Sequence, residues 1–275
     1  MSKMCLVVTM DQLNQKRPSP FWELQLQDRA IVDDPEKLDP SLLQLIPYVS
    51  LIRQIKAEGA RPWDLEILTY VRSTKGSEKR LTDKLSIGFG GHIDRMPTDK
   101  ETLLDLIITE AKRELMEELG YDVPYTVIAN AVQMELLVKQ SMLYTTEDPV
   151  DSVHLGISII VQLDYDVNAP TEFIGADGEC IDVQWMNITE IEDATIERFE
   201  NWSKIIVSGL RAHLSEFDQQ QQQQMPAGFE EMLAQVTAAG EAGMVTDVVA
   251  KEDTIVSSIN NGMSDAVTTA SAETI

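Results

Sequence analysis

Apolar residues first gather in short β-branched runs, Leu45 to Ile52 (LIPYVSLI) and Leu65 to Val71 (LEILTYV), the second closed by the turn-forming Ser73-Thr74-Lys75-Gly76-Ser77. Both runs predict strands around a loop. Leu85 to Ile93 (LSIGFGGHI) is a further extended segment, and its three glycines mean that the backbone bends there or that something approaches it closely. The period then changes. Pro97 precedes a capping-box pattern, Thr98-Asp99-Lys100-Glu101, after which Leu104, Ile108, Ala111, Leu115 and Leu119 recur at three- and four-residue steps, and Gly120 supplies a stop. Val127 to Val138, His154 to Leu163 and Ile181 to Trp185 read as strands, and Phe199 to Leu214 as a helix whose stripe of Trp202, Ile205, Ile206 and Leu210 faces a core. Strands, helix, strands, helix predict an α+β domain with a mixed sheet between helices and no internal repeat.

Composition sets the limits of that domain. After Glu216 the chain turns to six consecutive glutamines, Gln219 to Gln224, and from 216 to 275 it has one basic residue, Lys251, against ten acidic ones. Such a stretch buries too little apolar surface to offset its ordering entropy, so 216–275 is expected to be an acidic, mostly disordered tail with a short helix at Gly228 to Ala239. Residues 45–215 then form the domain, and 1–44 an extension packed on it. The whole chain of 275 residues carries 22 Lys+Arg and 46 Asp+Glu, a net charge of −24. Removing the tail leaves 21 basic and 36 acidic residues, a net of −15, so the domain is itself acidic. That disfavours a nonspecific grip on nucleic-acid phosphates. Cys5 and Cys180 stand in no CxxC or zinc-ligand spacing, which points to a reducing, cytoplasmic setting. The apolar run before Asp11 is too short for a secretory signal, and no membrane span is expected.

One string stands above the rest: Arg113-Glu114-Leu115-Met116-Glu117-Glu118-Leu119-Gly120 at the end of the predicted helix. Helical spacing places Glu114, Glu117 and Glu118 on one face, joined by Glu110. Stacked carboxylates repel, so they need solvent or cations, and Mg²⁺ favours a few carboxylates together with phosphate oxygens and water. A bare Glu-Glu pair is ordinarily solvated surface. The full string occurs by chance in a chain of this length only about once in a thousand or less at average composition.

Together with Gly90-Gly91, this string resembles the Nudix box of the Nudix hydrolases, in which a glycine, five residues, a glutamate and seven residues lead into Arg-Glu-aliphatic-x-Glu-Glu-x-Gly-aliphatic. The resemblance includes Glu78-Lys79-Arg80-Leu81 and the strand Ser86 to Ile93 and extends through about residues 45 to 210. Three departures stand out. From Gly91 to Arg113 is 22 positions where the family has 14, so eight residues are inserted, about two helical turns. The early glutamate falls on Asp105, and Tyr121 takes the place of the final aliphatic residue.

The resemblance implies a Nudix-like α/β/α sandwich and a Mg²⁺- or Mn²⁺-dependent hydrolase that cleaves a pyrophosphate linkage in a nucleoside diphosphate derivative. Glu114, Glu117, Glu118 and the Gly91 carbonyl would hold metal, and Arg113 would orient Glu114. Catalysis would fall to Glu114, Glu117 and Arg113, with Glu179 preferred over Glu172 as an auxiliary base or ligand. Gly90, Gly91, Arg80 and His92 would meet substrate, although histidines such as His92 and His154 are more often structural and a loop cation is more often solvated. Substrate candidates are oxidised nucleoside triphosphates, ADP-ribose, dinucleoside polyphosphates, nucleotide sugars and capped RNA ends; a homodimer is common among similar proteins. The alternative is a non-catalytic module of the same fold that binds a nucleotide or a protein partner.

Overall fold

The computed structural model describes residues 3–11, 22–28, 41–57, 59–61, 63–75, 79–138, 142–147, 151–176 and 178–224. Glu78, Asp177 and residues 225–275, with the expected helix at 228–239, lie outside the described residues. The strands are β1 (Met4–Thr9), β2 (Leu24–Asp28), β3 (Leu42–Gln54), β4 (Leu65–Arg72), β5 (Leu85–Ser86), β6 (Met142–Leu143), β7 (His154–Gln162) and β8 (Cys180–Asn187). The helices are α1 (Leu103–Leu119), α2 (Tyr125–Val138), α3 (Asp193–Ile196) and α4 (Asn201–Gln224).

β3 is the axis of the sheet. It runs parallel to β7 from Gln44↔His154 to Ile52↔Gln162, and antiparallel to β1 near its start and to β4 near its end. β8 and β5 extend the sheet from β4, and β2 from β1. The sheet is therefore mixed. Two-residue alternation along β3 sends Leu43, Leu45, Val49 and Leu51 to the face covered by α1 and α2, and Ile46, Tyr48 and Ile52 to the face covered by α4. A strand buried on both faces reads as a nearly continuous apolar run, as this one does. The second cluster is completed by Phe199, Trp202, Ile206 and Val207. Gly156 makes room for the Trp202 ring, because a Cβ there would lie 2.7 Å from Cζ3. Trp202 is core, as its stripe predicts, but Ile205 is exposed.

Four expectations need correction or extension. Val127 to Val138 is helix α2, not a strand: Ile128, Ala131 and Val132 are buried at helical spacing, Pro124 stands at the entry, and fourteen residues exceed a usual strand. β1 is a strand that the apolar pattern does not single out, yet Cys5, Leu6, Val7 and Val8 are fully buried and it pairs with β3. The capping box of α1 is Thr102 with Asp105, each side chain bonded to the other's backbone N–H, rather than the pattern four residues earlier. The Glu101 carboxylate does accept from the Thr98 N–H at 3.2 Å, but no helix starts there, and both of its oxygens are bonded by Arg95. Lastly, α4 continues to Gln224, consistent with the good helix propensity of glutamine. Among the described residues, no helix is long and apolar enough to cross a membrane.

Candidate active site

α1 delivers the acidic string. Its start is fixed by the capping box, and its end by Gly120 in the left-handed conformation at φ 67°, whose N–H reaches back to the carbonyls of Leu115 and Met116. Leu106, Ile107, Ala111 and Leu115 bury one side of the helix against the sheet, which fixes its rotation. The carboxylates then divide. Glu114 is buried, Glu118 is turned inward, and Glu117 keeps 59% of its side chain exposed. One uniform metal-facing surface, the simplest reading of the spacing, is therefore not formed. Among the described residues, no group of three or more His, Cys, Asp or Glu side chains stands ready to hold a metal ion. The reason is Arg113, which bonds a different carboxylate with each nitrogen: Glu110 from Nε at 2.7 Å, Glu117 from Nη1 at 2.9 Å, and Glu114 from Nη2. Burial works to lower the guanidinium pKa, but the bonds to Glu110 and Glu117 outweigh it and leave the group above its ordinary value.

Glu118 is held from two other sides. The Gly90 N–H donates to Oε1 at 3.1 Å and the Cys180 thiol to Oε2 at 3.3 Å. Burial, reinforced by the charge of Glu114, pushes the Glu118 carboxyl up to about 8, against the pull of these two donors and of Arg72. Burial likewise raises Glu114, opposed by Arg113.

The glycines of Gly88 to Gly91 are required by close approaches. A Cβ at Gly88 would collide with the Tyr48 ring, one at Gly90 with the Pro47 carbonyl, and one at Gly91 with the Glu114 carboxylate. Tyr70 Oη donates to the Gly88 carbonyl at 2.7 Å, and Val49 and Phe89 exchange backbone bonds on either side. Tyr48 Oη is itself held by Glu200 and Ser203 at the start of α4. The two substitutions nearest the carboxylates should differ. Gly91→Ala meets only the end of a side chain, so it is expected to displace Glu114 while leaving the melting temperature within about 2 °C of wild type; Gly90→Ala meets backbone and should lower stability by about 2 kcal/mol or more. Thermal unfolding of both variants checks this.

Other sequence candidates stand less close. His92 places Nε2 3.2 Å from His154 Nε2, and its carbonyl lies 3.5 Å from Arg113 Nη2, so its observed contacts brace the site from beside it. Arg80 is exposed on a single helical turn at Lys79–Leu81. The Glu179 carbonyl accepts from the Ser73 N–H at 2.8 Å, and its neighbour Cys180, the first residue of β8, reaches the acidic cluster through its thiol. Asp105 caps α1 and accepts from Tyr125 Oη. Tyr121 is buried beneath Phe173 and bonds Asp166, filling the aliphatic position. A cavity of about 530 Å³ between β4, β8 and α3, lined by Asp182, Gln184 and Arg198 among others, contains none of the α1 carboxylates.

Sequence reasoning missed one cation. Arg72 ends β4 beside Cys180 in the β4–β8 register, and its half-buried guanidinium donates only to Tyr70 Oη, at 3.3 Å, with no carboxylate partner among the described residues. Its charge is held by Tyr70 first and, against burial, by Glu200 and Glu118. The signal was a lone arginine closing a strand that pairs beside the glycine-rich segment.

No protein-family model matches the chain. Protein YmaB of Bacillus subtilis (strain 168) is 27% identical over 223 residues, which is 75% of this chain and 97% of that protein. The crystal structure of Tm1382, described as a candidate Nudix hydrolase, superposes with a TM-score of 0.50 at 16% identity, covering 76% of this chain and 98% of that one. At that identity the likeness establishes a fold.

Proposed function

We propose that this chain, built on the Nudix fold, is a cytoplasmic hydrolase that cleaves a pyrophosphate linkage in a nucleoside diphosphate derivative with Mg²⁺ or Mn²⁺ bound at Glu114, Glu117 and Glu118. The observation that carries the reading is the convergence of Arg113, Glu114 and Glu118 on Gly90-Gly91 at the end of α1. The donors fit a hard cation. Two carboxyls raised first by burial and then by neighbouring carboxylates, Glu118 by Glu114 and Glu114 by Glu117 and Glu110, are an arrangement that a cation would relieve, and oxygen ligands suit magnesium and manganese. Once bound, the ion would neutralise charge on pyrophosphate oxygens and lower the pKa of an attacking water.

The protein's own groups do the rest. Glu118 is fixed by burial and by donors on two sides, so its oxygens are already oriented, while Glu114 is buried and held by Arg113. Glu117, exposed and paired with Arg113, is the ligand that must turn, and Arg113 keeps Glu110 when it does. The Gly91 carbonyl would supply a further oxygen. Glu179 and Arg80, on loops at the same edge of the sheet, are candidates for a base and a phosphate contact. Arg72, with donors to spare, is the better phosphate ligand. Arg72→Gln is therefore expected to raise KM about tenfold or more with a smaller change in kcat, as read from initial rates.

The test is release of phosphate or nucleotide from a panel of nucleoside diphosphate derivatives by the purified chain with Mg²⁺ or Mn²⁺. Release that disappears on chelation supports the reading. A folded protein that turns over none of them overturns it.

A further inference from the structure

The stretch between Gly91 and Leu103 is where this chain exceeds the Nudix pattern in length, and it brings a cation onto α1. The helix begins only at Leu103, so a long non-helical stretch follows Gly91. Arg95 donates from Nη1 and Nη2 to both oxygens of Glu101, at 2.6 and 2.9 Å, and sets Nε 3.3 Å from Glu110 Oε1. Glu110 is buried, and its other oxygen lies 2.7 Å from Arg113 Nε. Arg113 then bonds Glu114 and Glu117. Opposite charges thus alternate along one connected chain, from Glu101 through Arg95, Glu110 and Arg113 to the paired acids of the site.

We infer that Arg95 and Glu110 are positioning residues that, through Arg113, set how readily Glu114 and Glu117 leave the guanidinium for a divalent cation. The inference rests on reading those carboxylates as metal ligands. Any carboxylate bound to Arg113 competes with the cation for its own oxygens. Glu110 is buried between two guanidiniums, so it occupies Arg113 Nε without being drawn away by solvent or metal. Neutralising Glu110 leaves Arg113 to grip Glu114 and Glu117 harder and removes a negative charge beside them. Both effects weaken cation binding. Neutralising Arg95 hands Glu110 wholly to Arg113 and removes a positive charge nearby, and both effects strengthen it. Loss of packing alone would not produce opposite signs.

The experiment is titration of Mn²⁺ into the full chain without nucleotide, following free Mn²⁺ by electron paramagnetic resonance, for wild type, Glu110→Gln and Arg95→Gln, with thermal unfolding to show that each is folded. Glu110→Gln should weaken the Kd by about tenfold, the usual size of a change behind a metal ligand. Arg95→Gln, at a partly exposed position, should tighten it roughly two- to threefold. Two variants that bind as wild type does, or that shift in the same direction, overturn the inference while leaving the metal site standing. Absence of Mn²⁺ binding by wild type overturns the reading of the site, and the inference with it. If Glu110→Gln fails to fold, Arg95→Gln decides: tighter binding supports the inference, and unchanged or weaker binding overturns it.

Discussion

Glu117→Gln is expected to reduce metal-dependent pyrophosphate hydrolysis about a thousandfold, or roughly 4 kcal/mol of transition-state stabilisation, while leaving the protein as stable as wild type. The two halves of this result come from one fact, that 59% of the Glu117 side chain is exposed and its only ion pair among the described residues is with Arg113 on the same helix. Exposed pairs three or four residues apart contribute a few tenths of a kcal/mol, so denaturation midpoints should coincide within error. Activity should not survive, because glutamine keeps the shape of glutamate but cannot supply the anionic oxygen that a cation needs. Steady-state rates with saturating Mg²⁺, set beside urea denaturation of the same two samples, make the comparison. Full activity in the variant would remove Glu117 from the site, and with it most of the case for an enzyme over a binding module.

Glu118→Gln should lose hydrolysis to a similar degree and yet gain stability, with the gain confined to neutral and alkaline pH. Burial and the neighbouring Glu114 raise the folded-state pKa of Glu118 from 4.5 to about 8. Between those values the folded protein holds a proton that the unfolded chain has released, so wild-type stability falls as pH rises from about 4.5 to about 8 and levels off above it. Each tenfold difference in proton affinity between the folded and unfolded states is worth about 1.4 kcal/mol, so the metal-free protein at pH 8 carries a cost on the order of 4 kcal/mol, part of which the neutral amide removes. Metal-free Glu118→Gln is therefore expected to exceed wild type by about 2–3 kcal/mol at pH 8 and to match it near pH 4.5. Urea denaturation with chelator at the two pH values measures this. An equal difference at both would mean that the gain has another origin. Added Mg²⁺ should raise the wild-type melting temperature and leave that of the variant nearly unmoved, since a ligand stabilises only the state that binds it.

The parts of this molecule that were legible in the sequence are those written in local chemistry. The acidic string, its glycine stop and the glycine-rich segment needed no knowledge of neighbours, because helical spacing and a missing Cβ are properties of adjacent residues. Strands β3, β4 and β7 were equally plain as apolar runs. What escaped depends on contacts between distant segments. Val127 to Val138 has strand-like composition, and it is packing of Ile128 and Val132 against β7's face of the sheet that makes it a helix. β1 is a few apolar residues until β3 offers it an edge. In the site, spacing alone placed three acids together, and only the structure shows Arg113 dividing them. Arg72 and Cys180 became visible only when β4 and β8 were paired.

The parallel pairing of β3 with β7 has a kinetic consequence. Its nine rungs join residues 110 positions apart, as Gln44 and His154 mark, so the longest ladder in the sheet closes only after the chain has been synthesised as far as Gln162. Loop closure on that scale places the rate among those of slow, high-contact-order folds, milliseconds to seconds rather than microseconds. Until residue 162 has left the ribosome, α1 exists with its carboxylates but without the completed sheet that buries its apolar side, and a nascent chain at that stage exposes Leu106, Ile107 and Leu115 as a hydrophobic surface for chaperones to find.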